Sequence, residues 1–230
     1  RVKSDKLQVV MFTSANPGAG KTFVSSNLAM SIAQTNKKVV LVDVDIRKGT
    51  LSGIFSNSSN RMGLTHYLSG STDKLDDIIG RSEEYEKLDV IFSGPVPPNP
   101  AELLLSERFD RLITELRKRY DYIIVDNVPA GMVADASIVN RVADLTIFVV
   151  RSGVMDRRQL PELENMYRQE QLRNMSVILN GVPSDHKGYG YGYGYGYGYG
   201  YGYGYGYGND THKHTKMSHV RKILSRFWKR

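Results

Sequence analysis

Apolar residues gather in six continuous runs rich in Val, Ile and Leu: 7–14 (LQVVMFTS), 37–45 (KKVVLVDVD), 88–94 (LDVIFSG), 120–126 (YDYIIVD), 143–151 (ADLTIFVVR) and 176–181 (SVILNG). Runs this short, apolar on both faces and rich in β-branched residues predict buried strands. Between them lie stretches with helical spacing. Residues 21–36 place Val24, Leu28, Ala29 and Ile32 on one face. Residues 100–120 open with Pro100, and 157–172 carry Pro161 in the first turn, both fit places for proline in a helix. Strands alternating with helices predict an α/β fold with a mostly parallel sheet covered by helices on both faces.

The pattern stops at about Pro183, which sets a folded domain at 1–183. Residues 184–212 contain a perfect alternation of Tyr and Gly from Tyr189 to Gly208. Such a sequence loses too much backbone entropy on ordering and buries too little in return, so this segment is expected to be a disordered linker. Residues 213–230 form a basic end in which Val220, Ile223, Leu224 and Phe227 suit one side of a short amphipathic helix.

The chemistry begins at the turn after the first run, SANPGAGKT. From Ala15 it reads A-x-x-x-x-G-K-T, a phosphate-loop pattern with Ala in place of the first Gly, set between a strand and a helix. This predicts a P-loop NTPase fold. Gly18 and Gly20 let backbone N–H groups curl round phosphate oxygens, and the helix N-terminus adds partial positive charge. Pro17, Gly18, Ala19, Gly20, Lys21, Thr22 and Phe23 make up the nucleotide-binding stretch. Lys21 is the cation for the β- and γ-phosphates, and the Thr22 hydroxyl is a ligand for Mg²⁺. The plainer reading is a glycine-rich strand–helix turn, and the GKT in this setting weighs against it.

Such a loop needs carboxylates opposite it. Asp126 ends one apolar run, and Asp43 and Asp45 end another. Two strand residues at i and i+2 point to one side, so Asp43 and Asp45 are expected to share an orientation if the strand continues that far. One isolated Asp would suit a helix cap or turn; three at strand ends beside a phosphate loop suit a metal and a reacting group.

Charge modifies the picture. Of 31 Lys and Arg and 24 Asp and Glu, seven basic residues and one acid lie in 209–230, so that end carries +6 and the rest of the chain +1. A basic end on a near-neutral body argues against nucleic acid as a partner and suits an anionic membrane surface. No apolar run approaches the roughly 18 residues of a membrane span. The chain has no cysteine, which excludes disulfides and Cys-based metal sites. The prolines of GPVPPNP are expected to brace a turn, and the basic positions of helix 107–119 to form a solvated face.

The motifs SANPGAGKT, VVLVDVDIRKG, GLTHYLSG, FSGPVPPNPAELL and YDYIIVDNVPA, in this order and spacing, resemble the cytoplasmic kinase domain of bacterial tyrosine kinases tied to capsule and exopolysaccharide export. The resemblance covers about residues 5–183. It implies ATP- and Mg²⁺-dependent autophosphorylation of a C-terminal tyrosine cluster, here Tyr189, Tyr191, Tyr193, Tyr195, Tyr197, Tyr199, Tyr201, Tyr203, Tyr205 and Tyr207. It also implies that Lys21, Asp43, Asp45 and Asp126 are catalytic, with Thr22, Asp43 and Asp126 serving the metal and Asn180 contacting adenine. The implied partners are other copies of the chain in a ring, a membrane-spanning co-polymerase segment (fused or separate) and a phosphotyrosine phosphatase. The implied place is the cytoplasmic face of the bacterial inner membrane.

This chain departs from the family pattern in three places, one being that its tyrosines form a perfect Tyr-Gly repeat where a cluster need only hold several acceptors. Asn127-Val128-Pro129-Ala130 stands where T-P-P is usual. The family's oligomerising helix has no counterpart in RVKSDKL and is expected upstream of Arg1. A rival reading is a membrane-associated regulatory ATPase of the partitioning type, but that class usually carries a second lysine early in the loop, and positions 15–17 are Ala-Asn-Pro.

Overall fold

The computed structural model describes residues 7–55, 62–130 and 135–183. The Tyr-Gly repeat and the basic end lie outside the described residues. Strand β1 (Val9–Ser14) runs into helix α1 (Lys21–Ala33), then β2 (Val39–Asp43), α2 (Leu64–Leu68), β3 (Ile79–Arg81) and β4 (Leu88–Ile91). Helices α3 (Pro100–Leu105) and α4 (Glu107–Arg119) precede β5 (Tyr122–Asp126); α5 (Asp135–Asn140), β6 (Leu145–Arg151), α6 (Leu160–Arg168) and β7 (Met175–Asn180) complete the order.

The seven strands form one sheet in the order β3-β4-β2-β5-β1-β6-β7. Every pairing is parallel except that of β3 with β4. β1 lies inside the sheet between β5 and β6 and is buried along its length. Its alternate residues feed two cores: Val9 and Met11 face α4, with Phe109, Leu112 and Leu116, whereas Val10 and Phe12 face α1, with Ala29, Met30 and Ala33. That two-sided burial explains why the strand runs carry no polar alternation.

Three features depart from the sequence expectations. The helix expected over 100–120 is two helices, broken at Ser106, whose ψ of 151° is extended. Its hydroxyl donates to the Leu103 carbonyl at 2.6 Å, a local bond that competes with helix continuation. The edge strand β3 was not foreseen; its three residues, Ile-Gly-Arg, are too few to show a period. The second strand ends at Asp43, so Asp45 belongs to the following loop. On α1, Ala29 is buried as expected, but Ser25, Ser26 and Met30 are buried too, while Val24, Leu28 and Ile32 pack at the margin of the core.

Of the basic positions of α4, Arg111, Lys118 and Arg119 are exposed as expected, whereas Arg108 and Arg117 are tied to the body. Arg108 donates to the Tyr67 and Thr72 carbonyls and to Asp73. Arg117 makes a paired contact with both Asp144 oxygens at 2.8 Å. Asp144 Oδ2 also accepts the N–H groups of Gln8 and Val9, so one carboxylate joins α4 to the start of β1. Burial alone would raise its pKa, but Arg117 and the two N–H groups hold it below the ordinary value. Asp144→Ala strands a half-buried guanidinium and two strand N–H groups, and is expected to cost about 2–4 kcal/mol of stability in urea denaturation.

Candidate active site

The crevice lies beyond the carboxyl ends of the central strands, where an open parallel sheet collects ligands. Chain leaving β1 enters the phosphate loop, which adopts left-handed backbone at Gly18 (φ 75°) and Gly20 (φ 92°). Only glycine takes such angles freely. Gly20 caps α1 with no side-chain hydrogen bond, leaving the first-turn N–H groups and the positive helix end for an anion. Ala19 between the glycines is buried in the core on the α1 side.

Parallel register sets Asp43 of β2 directly beside Asp126 of β5, and Asp126 beside Phe12 of β1. The two carboxylates are buried but differently used. Asp43 Oδ1 accepts from the Asp45 N–H, and Oδ2 from the N–H groups of Thr50 and Leu51. Asp43 therefore shapes the loop that follows it. Asp126 Oδ2 accepts the Thr22 hydroxyl at 2.7 Å and the Thr50 hydroxyl at 3.3 Å, while Oδ1 is buried without a hydrogen-bond partner. Asp45, 8% exposed, accepts the Lys48 N–H. Its orientation is set by the turn 45–49, whose Lys48 and Gly49 N–H groups return to the Asp45 carbonyl, and not by strand alternation.

Charge is concentrated here. Burial lowers the Lys21 pKa; Asp126, Asp45 and Asp43 partly offset this, and Lys48 adds to the lowering. Burial is also the largest cause raising Asp126, with Thr22 and Lys21 opposing. Asp43 is pushed up to about 7, by burial first, against the hydrogen bond from Leu51 and reinforced by Asp126 and Asp45.

A divalent cation fits these residues. A buried carboxylate oxygen without a partner is costly, and Asp126 Oδ1 belongs to the same carboxylate whose Oδ2 accepts the Thr22 hydroxyl. Among the described residues no group of three or more His, Cys, Asp or Glu could hold a metal alone. Mg²⁺ keeps waters and binds through one or two protein oxygens plus phosphates, a role the Thr22 hydroxyl and the Asp126 carboxylate can fill.

Of the residues singled out by sequence, Lys21, Thr22, Asp43, Asp45 and Asp126 meet in this crevice, and Asn180 reaches it from β7 with its amide donating to the Ala19 carbonyl at 2.9 Å. The ten repeat tyrosines lie outside the described residues. Sequence reasoning missed Thr50 and Arg151. Thr50 follows the glycine of RKGT and joins both buried aspartates. Arg151 ends β6 as Asn180 ends β7, and that shared position was the available signal. Asn127 turns inward, its Oδ1 accepting the Val128 N–H and its amide meeting Met11 Sδ, while its own N–H bonds the Phe12 carbonyl. The loop after Asp126 thus stays tied to β1 without the usual T-P-P.

The AAA domain family matches residues 7–169. Tyrosine-protein kinase CpsD of Streptococcus pneumoniae is 38% identical over 180 residues, 78% of each chain. The solved kinase domain of Escherichia coli tyrosine kinase ETK superposes with a TM-score of 0.71 at 38% identity, covering 82% of this chain and 73% of that one. The chain belongs to the bacterial tyrosine-protein kinase family. The septum site-determining protein MinD from Pyrococcus horikoshii OT3, solved with Mg-ADP, is 22% identical with a TM-score of 0.60, covering 75% of this chain and 70% of that one; it shares the fold. The P-loop fold of this kinase family therefore stands on both sequence and structure.

The carboxylates give the metal-free protein a defined pH response. Asp43 has its folded pKa raised from 3.8 to about 7, so the native state binds more protons than the unfolded state between those values. Its contribution to stability is full below about pH 4 and is lost as pH rises through about 7, at up to about 1.4 kcal/mol per pH unit. Asp126 acts in the same direction. Urea denaturation without nucleotide or metal from pH 5 to 8 is expected to show this decline, and Asp43→Asn to flatten it, leaving only the Asp126 part.

Proposed function

We propose that the chain is an ATP- and Mg²⁺-dependent protein-tyrosine autokinase. Its acceptors are the ten tyrosines from Tyr189 to Tyr207, phosphorylated in trans within an oligomer. In this reading phosphorylation regulates capsule or exopolysaccharide polymerisation and export. The partners are a membrane-spanning co-polymerase segment and a phosphotyrosine phosphatase, and the place is the cytoplasmic face of the inner membrane. Family membership supports the kinase class, and the crevice supplies the observation that carries the reading. A phosphate loop, Lys21, a Thr22 hydroxyl on Asp126 and a separately held Asp45 converge on one spot.

Phosphoryl transfer needs positioning and charge neutralisation more than covalent help from the protein. Loop N–H groups and Lys21 hold the β- and γ-phosphates. Thr22 and Asp126 would hold Mg²⁺, with Asp43 near its waters, and a bound ion would supply neutralisation of charge on the phosphate oxygens. The phenol oxygen bonds to the γ-phosphorus while the bond from that phosphorus to the bridging oxygen breaks, the electron pair leaving with ADP. The phenol proton passes to Asp45. Both Asp43 oxygens are taken by backbone N–H groups and Asp126 faces Thr22, so Asp45 is the carboxylate suited to the acceptor. A phenol with pKa near ~10 is a poor donor to a carboxylate, so Asp45 chiefly orients it until the new P–O bond forms.

Twenty residues of Tyr-Gly span at most ~70 Å, enough for acceptors to reach their own crevice or a neighbour's. Each phosphate adds roughly −1.5 to −2 charges, so a fully modified strip would outweigh the basic end and loosen it from anionic lipid. With γ-labelled ATP and Mg²⁺, label is expected on tyrosine within 189–207. Lys21→Met should reduce it roughly a hundredfold or more, and replacing the ten tyrosines by Phe should remove it while ADP still binds. Release of free phosphate with no labelled protein, in the presence of the membrane-spanning partner, would overturn the kinase reading in favour of a regulatory ATPase.

A further inference from the structure

The phosphate loop has a rear side as well as a front. Arg151, the last residue of β6, donates from Nη1 to the Gly18 carbonyl at 2.8 Å. Asn180, the last residue of β7, donates from Nδ2 to the Ala19 carbonyl at 2.9 Å. Arg151 and Asn180 are register partners in the parallel β6–β7 pair, so two side-by-side strand ends grip two consecutive loop carbonyls. Room is made on both sides. A side chain at Gly20 would collide with the Asn180 amide, and one at Gly181 would come within 3.4 Å of the Arg151 stem. The strand ends are themselves joined, Ser152 N–H bonding the Asn180 carbonyl at 2.9 Å.

We infer that Arg151 is a positioning residue for phosphate binding, acting with Asn180 to aim the loop. The reason is the geometry of a trans peptide. C=O and N–H of one planar unit point in opposite directions. The Gly18 carbonyl shares its unit with the Ala19 N–H, and the Ala19 carbonyl with the Gly20 N–H. Holding both carbonyls to the rear turns both N–H groups to the front, towards the nucleotide phosphates. The glycines at 18 and 20 bend freely, so without the grip these peptide units can rotate and the cradle must be ordered when the ligand arrives. Arg151 brings a charged donor, and hydrogen bonds from charged groups are about twice as strong as neutral ones.

The inference rests on the crevice being a nucleoside polyphosphate site, as in the reading above, and is tested by binding alone. In the full chain, affinities for ADP and for adenosine are measured by competition against a fluorescent ADP analogue, with thermal melting recorded beside them. Arg151→Met keeps the aliphatic stem and removes the donor. It is expected to weaken ADP on the order of tenfold while changing adenosine less than about twofold, because only the phosphate contacts depend on the aimed N–H groups. Arg151→Lys, which can still donate to a carbonyl, is expected to recover most of the loss and serves if the Met variant folds poorly. The loss should persist at high ionic strength, since a bond to a carbonyl is not an ion pair with the ligand.

Unchanged ADP affinity in Arg151→Met, while Lys21→Met loses it, would refute the positioning role. So would an equal loss for ADP and adenosine, or a loss confined to low salt, which would assign Arg151 to direct pairing with the phosphates. Absence of labelled tyrosine with normal ADP binding would refute the kinase reading and leave the role of Arg151 standing.

Discussion

The crevice is organised around a buried carboxylate that lacks half of its partners. Asp126 is 1% exposed and one of its oxygens has no hydrogen bond. An ionised group in that position is expensive unless a cation or proton compensates it. Its pKa is raised, its neighbour Asp43 is raised with it, and Lys21 is held close. A bound divalent cation with phosphates would compensate this buried charge.

Parallel register is what makes the arrangement possible. Asp43 and Asp126 end neighbouring strands at matched positions, so they point the same way from adjacent backbones. A slip by one residue would turn one of them into a hydrophobic layer. The surrounding apolar residues thus fix the chemistry: Val40, Val42, Ile123 and Val125 in one core and Leu41 and Ile124 in the other leave a single workable register.

Much of this was legible in the sequence because strand runs and the phosphate loop are local patterns. The six apolar runs each became a strand, and GKT opened a helix where expected. What escaped depended on contacts distant in sequence or on very short signals. The condition for grouping Asp43 with Asp45 by strand alternation is not met, since the strand ends at Asp43 and a turn orients Asp45. Thr50 acquires its role from Asp126, 76 positions away, and Arg151 from Gly18, 133 positions away. The break at Ser106 turns on one serine hydroxyl within an otherwise unbroken helical pattern.

The proposed acceptor makes an unusual demand on such a site. Alternating Tyr and Gly offers a phenol and almost nothing else to recognise, so the crevice can discriminate little by side-chain contact with flanking residues. Selectivity must then come from where the acceptor is attached. A substrate tethered to the enzyme, or to the next subunit, is presented at an effective concentration in the millimolar range for short linkers. Under that condition weak binding of each phenol is an advantage, because a phosphorylated residue must leave before the next can enter. The precision of the site is accordingly directed at the proposed nucleotide, where loop carbonyls and carboxylates are each held by named partners, and not at the acceptor.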